Sequence, residues 1–196
     1  CDLAADALEH DLMYPPDPGE KTGSLGGNVS TNAGGMRAVK YGTTRDYVLA
    51  MTVVLPNGQI LELGRSVTKT SSGYSLLHLM IGSEGTLGVI TELTLKLIPN
   101  PKEDISFILP FADIDAAISA VPKIKLAGLS PQSIEFMERD IVDSSANYTG
   151  NKIIPTVIDG KEAGAYILVT LDGNDQDEIF QRAETLAEIG DEIGAY

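Results

Sequence analysis

Apolar and polar residues alternate from Leu87 to Leu97. Leu87, Val89, Thr91, Leu93, Leu95 and Leu97 fall on one side, and Glu92, Thr94 and Lys96 on the other. A period of two predicts a half-buried β-strand. Upstream, Tyr47–Leu55 is nearly all apolar and rich in β-branched residues, the pattern of a buried strand. Pro56-Asn57-Gly58 predicts a hairpin turn into a return strand at Gln59–Leu63. Helical patterning marks Asp2–Glu9, with Leu3, Ala7 and Leu8 together, and Tyr74–Ile81, begun near Ser71-Ser72 and stopped by Gly82. At Asn100-Pro-Lys-Glu-Asp104 the pattern restarts. Strands are then expected at Ile105–Leu109, Gln132–Met137 and Tyr166–Leu171. Helices are expected at Ile114–Ile124 (capped by Asp113), Arg139–Ala146 and Gln176–Ile189. This alternation predicts a small α+β sandwich of ferredoxin-like style behind a first domain, with domains at 1–100 and 104–196.

The stretch between the first helix and the first long strand is different. Tyr14–Gly35 holds Pro15, Pro16 and Pro18, then five glycines (Gly23, Gly26, Gly27, Gly34, Gly35) within 13 residues, among Ser, Thr and Asn. Proline holds the approach extended, and glycine lets a loop turn sharply and aim several N–H groups at one anion. Glycine clusters are also linkers, but here the low charge and the periodic flanks favour an anion-cradling loop. A second cluster, Gly82-Ser-Glu-Gly-Thr-Leu-Gly88, runs straight into the alternating strand. It reads equally as a tight helix-to-strand connection or as a second wall of a ligand site.

Composition narrows the chemistry. The 196 residues carry 14 Lys+Arg against 28 Asp+Glu, a net charge of −14 that disfavours nucleic acid and anionic membrane surfaces as partners. The acidic excess after Glu103 reads as a solvated face or as a docking surface for a partner protein. No apolar run reaches the ~20 residues of a membrane helix, and no secretory leader is visible. The single cysteine, Cys1, excludes an internal disulfide framework and fits a reducing compartment, hence a cytoplasmic protein, with peripheral attachment at the inner membrane face kept open. No G-x-G-x-x-G opens a βαβ unit, and Asp159-Gly160-Lys161-Glu162 lacks the leading glycine and the hydroxyl of a phosphate loop. His10 and His78 are far apart with no cysteine partner, so no metal site is expected, and His78 is expected to be a helix residue with a satisfied ring. No nucleophile–base set can be assembled, leaving the catalytic residues unassigned. The sequons at Asn28 and Asn147 are read as chance matches.

Taken in order, several segments resemble one family. They are Tyr14-Pro-Pro-Asp-Pro18, Leu25-Gly-Gly-Asn-Val-Ser-Thr-Asn-Ala-Gly-Gly35, Lys40-Tyr-Gly42, Arg45-Asp-Tyr-Val48, Leu55-Pro-Asn-Gly58 and Gly82-Ser-Glu-Gly-Thr-Leu-Gly-Val-Ile-Thr91. The succession is similar to the FAD-binding domain of vanillyl-alcohol-oxidase/PCMH-type flavoproteins, most of all to the branch of glycolate oxidase FAD subunits, D-lactate dehydrogenases and D-2-hydroxyglutarate dehydrogenases. The resemblance implies the second subdomain of that FAD-binding domain over residues 1–100, then part of the substrate-cap domain, where Pro131-Gln-Ser-Ile-Glu-Phe-Met137 is similar to a cap strand. By the same resemblance Pro16, Asp17, Thr22 and Ser24 would lie along the flavin and its ribityl–pyrophosphate region. Gly26, Gly27, Asn28, Thr31, Asn32, Ala33 and Gly34 would offer backbone N–H groups and the amides of Asn28 and Asn32. Glu84, Gly85, Gly88, Val89 and Ile90 would line further walls through main chain.

The implied activity is FAD-dependent oxidation of a D-2-hydroxy acid, with an electron-acceptor protein or a quinone as partner and a homodimer as a compatible assembly. The family's upstream glycine-rich subdomain and its downstream His-Gly-Asp-Gly-Asn-x-His type segment have no match here. Asp172-Gly173-Asn174 lacks both histidines and is read as a turn. The chain is therefore expected to be a fragment of such an enzyme. The alternatives are a fragment that does not hold FAD by itself, or another branch resembling alkylglycerone-phosphate synthase.

Overall fold

The computed structural model describes residues 2–67, 69 and 71–196; Cys1 lies outside them. It divides into two compact units, the first ending at Asn100 and the second running Pro101–Tyr196.

The first unit holds α1 (Asp2–Glu9), β1 (Leu12–Met13), α2 (Leu25–Thr31), α3 (Ala38–Tyr41), a 3-10 turn (Thr44–Tyr47), β2 (Val48–Val54), β3 (Ile60–Gly64), α4 (Leu76–Met80), β4 (Val89–Leu95) and β5 (Ile98–Pro99). Strand β2 is central in an antiparallel sheet of order β3-β2-β4, and β1 pairs with β5. The expected hairpin forms: the Gly58 N–H donates to Leu55 O at 2.9 Å, with Gly58 at φ +83°. Beneath the sheet Val48, Met51, Val53 and Leu63 pack with Val29 of α2 and with Leu77, Met80 and Ile81 around α4.

Three expectations fail in this unit. The helix expected over Tyr74–Ile81, from near Ser71-Ser72, runs only Leu76–Met80, with Ser75 as its cap. Tyr14–Gly35 is not wholly loop, because Leu25–Thr31 is helical. The alternation of β4 also slips. Thr52 faces Glu92 while Val53 faces Ile90, so Thr91 is the extra residue of a β-bulge. Above the bulge Ile90 joins Leu93 and Leu95 on the core side, whereas Val89 is 66% exposed and Thr91 and Leu87 also face solvent.

The second unit contains β6 (Glu103–Phe111), α5 (Ile114–Leu126), β7 (Ser133–Glu138), α6 (Arg139–Thr149), the short pair β8 (Val157–Ile158) and β9 (Lys161–Glu162), β10 (Ala165–Gly173) and α7 (Gln176–Ile193). Its sheet has the order β6-β10-β7, with β10 antiparallel to both neighbours. Ile105, Phe107, Leu109 and Phe111 on β6 and Ala165, Ile167, Val169 and Leu171 on β10 meet Ala117, Ala120 and Ile124 of α5 and Ile179 and Leu186 of α7. Tyr166 points the other way, onto Val142 of α6 and Ala163. Asp113 caps α5 as expected, accepting from the Ala116 N–H at 2.8 Å. Asp172-Gly173 is not a turn. It ends strand β10, with Asp172 buried and receiving a hydrogen bond from Gln132 Nε2 at 3.3 Å. Helix α7 also outruns its expected end at Ile189. Gly190 lies inside it, where a Cβ would stand 3.3 Å from Leu109 Cδ2, so this glycine serves packing rather than termination.

Candidate functional site

The site is built on α2. Ser24 caps it: Ser24 Oγ accepts from the Gly27 N–H at 3.0 Å and Ser24 O from the Asn28 N–H at 2.9 Å. The first N–H groups of a helix have no partner within its own ladder, which leaves those of Leu25 and Gly26 for other acceptors. Asn32 ends the helix in left-handed conformation, φ +48°, its N–H donating to Val29 O at 3.1 Å.

The second glycine cluster docks directly on this helix. The Gly82 N–H donates to Val29 O at 3.0 Å and the Glu84 N–H to Ser30 O at 2.8 Å, with Glu84 itself at φ +53°. The two segments singled out in the sequence are therefore neighbours held by main-chain hydrogen bonds.

Two cavities flank α2. One, of about 430 Å³, is bordered by Leu3, Leu25, Gly26 and the strand residues Ile90–Leu93. The other, of about 390 Å³, is bordered by Tyr14, Pro16, Asp17, Lys21, Ser24, Asn28 and Arg37, and Leu3 and Leu25 border it as well. A Cβ on Gly26 would meet only Ile90 O, at 3.8 Å, so this glycine leaves bare backbone beside the first cavity. Lys21 pairs with Asp17, and Arg37 Nη1 donates to Met13 Sδ at 3.4 Å. Lys21 and Arg37 thus stand at the second cavity beside the carboxylates of Asp2, Asp17 and Glu20, which border it as well.

Of the residues named from sequence, Pro16, Asp17, Ser24 and Asn28 border the second cavity and Gly26 and Ile90 the first. The others are placed differently. Thr22 is turned to Glu20, its N–H and hydroxyl donating to Oε1 at 2.7 and 2.6 Å, and these bonds hold the Glu20 carboxyl below its usual range. Thr31 Oγ1 donates back to Gly27 O at 3.1 Å. Asn32 Oδ1 accepts from Thr43 Oγ1 at 3.2 Å and from the Arg45 N–H at 2.9 Å, so this oxygen serves the fold rather than a ligand. A Cβ on Gly88 would lie 2.5 Å from Val53 Cγ1 and 2.9 Å from Val54 O, which makes Gly88 a packing glycine. Gly85, at φ +76°, faces open space, and Gly27, Ala33, Gly34, Glu84 and Val89 border neither cavity.

Sequence reasoning missed Leu3, Leu25, Lys21 and Arg37 as bordering residues. Only the apolar side of α1 hinted at Leu3. Behind the second cavity Tyr14 packs edge-on against Tyr47 (ring centroids 6.0 Å apart, 74° between planes). Burial pushes the Tyr14 phenol above its usual range. His78 is a helix residue whose Nδ1 lies 2.6 Å from Ser75 Oγ, as expected. Among the described residues, no group of three or more His, Cys, Asp or Glu is gathered as a metal site, and no helix is long and apolar enough to cross a membrane.

Residues 2–64 match the family model described as an FAD binding domain, and residues 100–196 match that of the C-terminal domain of FAD linked oxidases. The chain belongs to the FAD-linked oxidases. The family's cofactor is FAD, and its mixed helix-and-sheet fold is the α+β class expected. Among similar FAD-linked oxidases, a protein named D-lactate dehydrogenase from Anaerostipes hadrus is 56% identical over 99% of this chain and 41% of its own length. The glycolate oxidase subunit GlcD of Bacillus subtilis is 38% identical over 93% of this chain and 38% of its own length. The chain thus spans about two fifths of these relatives. A solved structure of alkyldihydroxyacetonephosphate synthase superposes with a TM-score of 0.77 over 100% of this chain and 39% of that one, at 22% identity, a likeness of fold.

Proposed function

We propose that this chain supplies a flavin-holding face and the start of a substrate cap in an enzyme that uses FAD to oxidise a 2-hydroxy acid of the D-lactate, glycolate or D-2-hydroxyglutarate type. The observation that carries the reading is the docking of Gly82–Glu84 on α2, which joins the two glycine-rich segments into one surface of exposed main chain.

That surface fits the cofactor. The N–H groups of Leu25 and Gly26 open toward acceptors and Gly26 leaves space that a Cβ would fill, while Arg37 and the Lys21–Asp17 pair border the second cavity with Asp2 and Glu20. Helix N–H dipoles at a first turn favour anionic oxygens such as those of a pyrophosphate. When bound, FAD would supply the redox chemistry, taking up the electrons of the hydroxy acid. This chain's own residues would bind and orient. Ser24 holds the α2 turn in shape, the Pro16–Pro18 segment forms one wall, and Ile90 with its neighbours forms another. The names of the relatives at 56% and 38% identity support the substrate class. An electron-acceptor protein or quinone would complete the turnover, and we place the enzyme in the cytoplasm.

The test is the visible spectrum of the purified full-length protein under anaerobic conditions. The flavin bands should be present and should bleach with D-lactate, glycolate or D-2-hydroxyglutarate, but not with L-lactate. Bound flavin that none of these acids reduces would overturn the substrate class and favour a branch with different chemistry. A colourless protein would overturn the cofactor assignment.

A further inference from the structure

We infer that Arg45 is a positioning residue of the flavin site, fixing the wall that begins at Gly82 although it borders neither cavity itself. The inference rests on the cofactor reading above. The guanidinium of Arg45 is half-buried and donates through Nη1 to His78 O at 3.0 Å and through Nη2 to Ile81 O at 2.9 Å. Both acceptors lie at the C-terminal end of α4, where helix carbonyls lack partners in their own ladder.

The peptide between Ile81 and Gly82 is held at both of its polar atoms. Its carbonyl goes to Arg45 and its N–H to Val29 O at 3.0 Å. Val29 O also receives the Asn32 N–H at 3.1 Å, and Asn32 Oδ1 receives the Arg45 N–H at 2.9 Å. Arg45, the Ile81–Gly82 peptide, Val29 and Asn32 therefore close a ring of hydrogen bonds around the junction of the two glycine-rich segments. Gly82 leaves this ring at φ +83°, and Glu84 docks two residues later. The guanidinium is planar and forked, so one side chain spans two carbonyls that a lysine ammonium on a flexible stem would not fix together.

The experiment uses the full-length protein with Arg45→Met and Arg45→Lys, and Arg182→Met in the second unit as a control that likewise removes arginine-to-carbonyl hydrogen bonds. Hydrogen exchange of the Gly82 and Glu84 amides, the Kd for FAD and the circular dichroism of bound flavin are measured together. R45M should speed exchange at both amides and raise the Kd by roughly ten- to a hundred-fold, the equivalent of one or two charged hydrogen bonds. It should also change the flavin dichroism, while R45K falls between R45M and wild type and R182M leaves all three readouts in place. Unchanged exchange at Gly82 and Glu84 in R45M overturns the inference. If wild type holds no FAD yet R45M frees these amides, the cofactor reading falls and the structural latch stands. If wild type holds FAD and R45M shifts none of the three readouts, the latch falls and the cofactor reading stands.

Discussion

Gly35 faces the Pro16–Pro18 wall with backbone at φ +133°. A Cβ there would lie 2.1 Å from the carbonyl oxygen of Asp17 and 2.4 Å from its carbon. Gly35→Ala therefore carries two separable costs. Backbone strain at such a φ is worth about 1–3 kcal/mol, and forcing atoms into a filled space adds about 1–3 kcal/mol, for a total of about 2–6 kcal/mol. Two other glycines isolate the parts. Gly58 has φ +83° and nothing within 4 Å of a new Cβ, so Gly58→Ala reports strain alone. Gly88 has no left-handed φ, but its Cβ would meet Val53 Cγ1 at 2.5 Å and Val54 O at 2.9 Å, so Gly88→Ala reports contact alone. The assay is urea unfolding followed by hydrogen exchange, with peptides before Asn100 read separately from those after it. Gly35→Ala should lose about as much as the two controls combined, and Asp17 and Pro18 peptides should lose protection first. A Gly35→Ala loss no larger than that of Gly58→Ala would falsify the close approach of Gly35 to Asp17, and with it the account of how this wall is held.

Ser24→Ala removes the cap of α2 and should cost about 1 kcal/mol in urea unfolding of the first unit, whereas Ser24→Asp keeps a capping oxygen but should weaken FAD binding by placing negative charge at the turn. Arg182 donates to Leu129 O at 3.1 and 2.6 Å and to Asp172 O at 2.9 Å, so Arg182→Met should destabilise the second unit alone by about 2–4 kcal/mol. The phenols of Tyr14, Tyr47 and Tyr166 are raised above 10.0 chiefly by burial, so the folded state keeps protons that the unfolded state has released. Stability from these groups should be intact below pH 10.0 and fall as pH rises beyond it, and the phenolate absorbance should show these three of the seven tyrosines ionising late.

The elements readable in the sequence are those whose signals are local. Pro56-Asn57-Gly58 carries its own turn chemistry, and Asp113 caps α5 three residues before the N–H it receives. Helix α2 was not readable, because Gly26 and Gly27 each disfavour a helix by about 1 kcal/mol relative to alanine. Its formation depends on the Ser24 cap, the burial of Val29 and the docking of Gly82, and the last two are tertiary. The face of β4 failed for a similar reason. The bulge at Thr91 is set by pairing with β2, which no alternation within β4 encodes. In the site, the two glycine segments were found from their residues. The internal use of Asn32 Oδ1 and the presence of Leu3 and Arg37 beside the cavities follow only from folding.

The glycines of the two clusters divide by what surrounds them, and the division bears on how an acidic chain can hold an anion. Gly35, closed in by the Asp17 backbone, and Gly88, closed in by the Val53 side chain and Val54 O, lock their segments, while Gly26 and Gly85 leave room for a Cβ and expose main chain. A flexible linker would have only the second kind. Locked segments presenting open backbone are organised before a ligand arrives, which lowers the ordering cost of binding. The chain's net charge lies mostly elsewhere. Ten acidic and seven basic side chains precede Pro101, against eighteen and seven after it, so the net charge of −14 belongs mostly to the second unit. At physiological salt, exposed charges beyond about 8 Å are largely screened, whereas the first-turn N–H groups of α2 act at hydrogen-bond distance. If an anion binds at α2 as proposed, local dipoles would contribute most, because Lys21 is paired with Asp17 and the carboxylates of Asp2 and Glu20 border the same cavity as Arg37. Raising the ionic strength should then weaken binding only modestly.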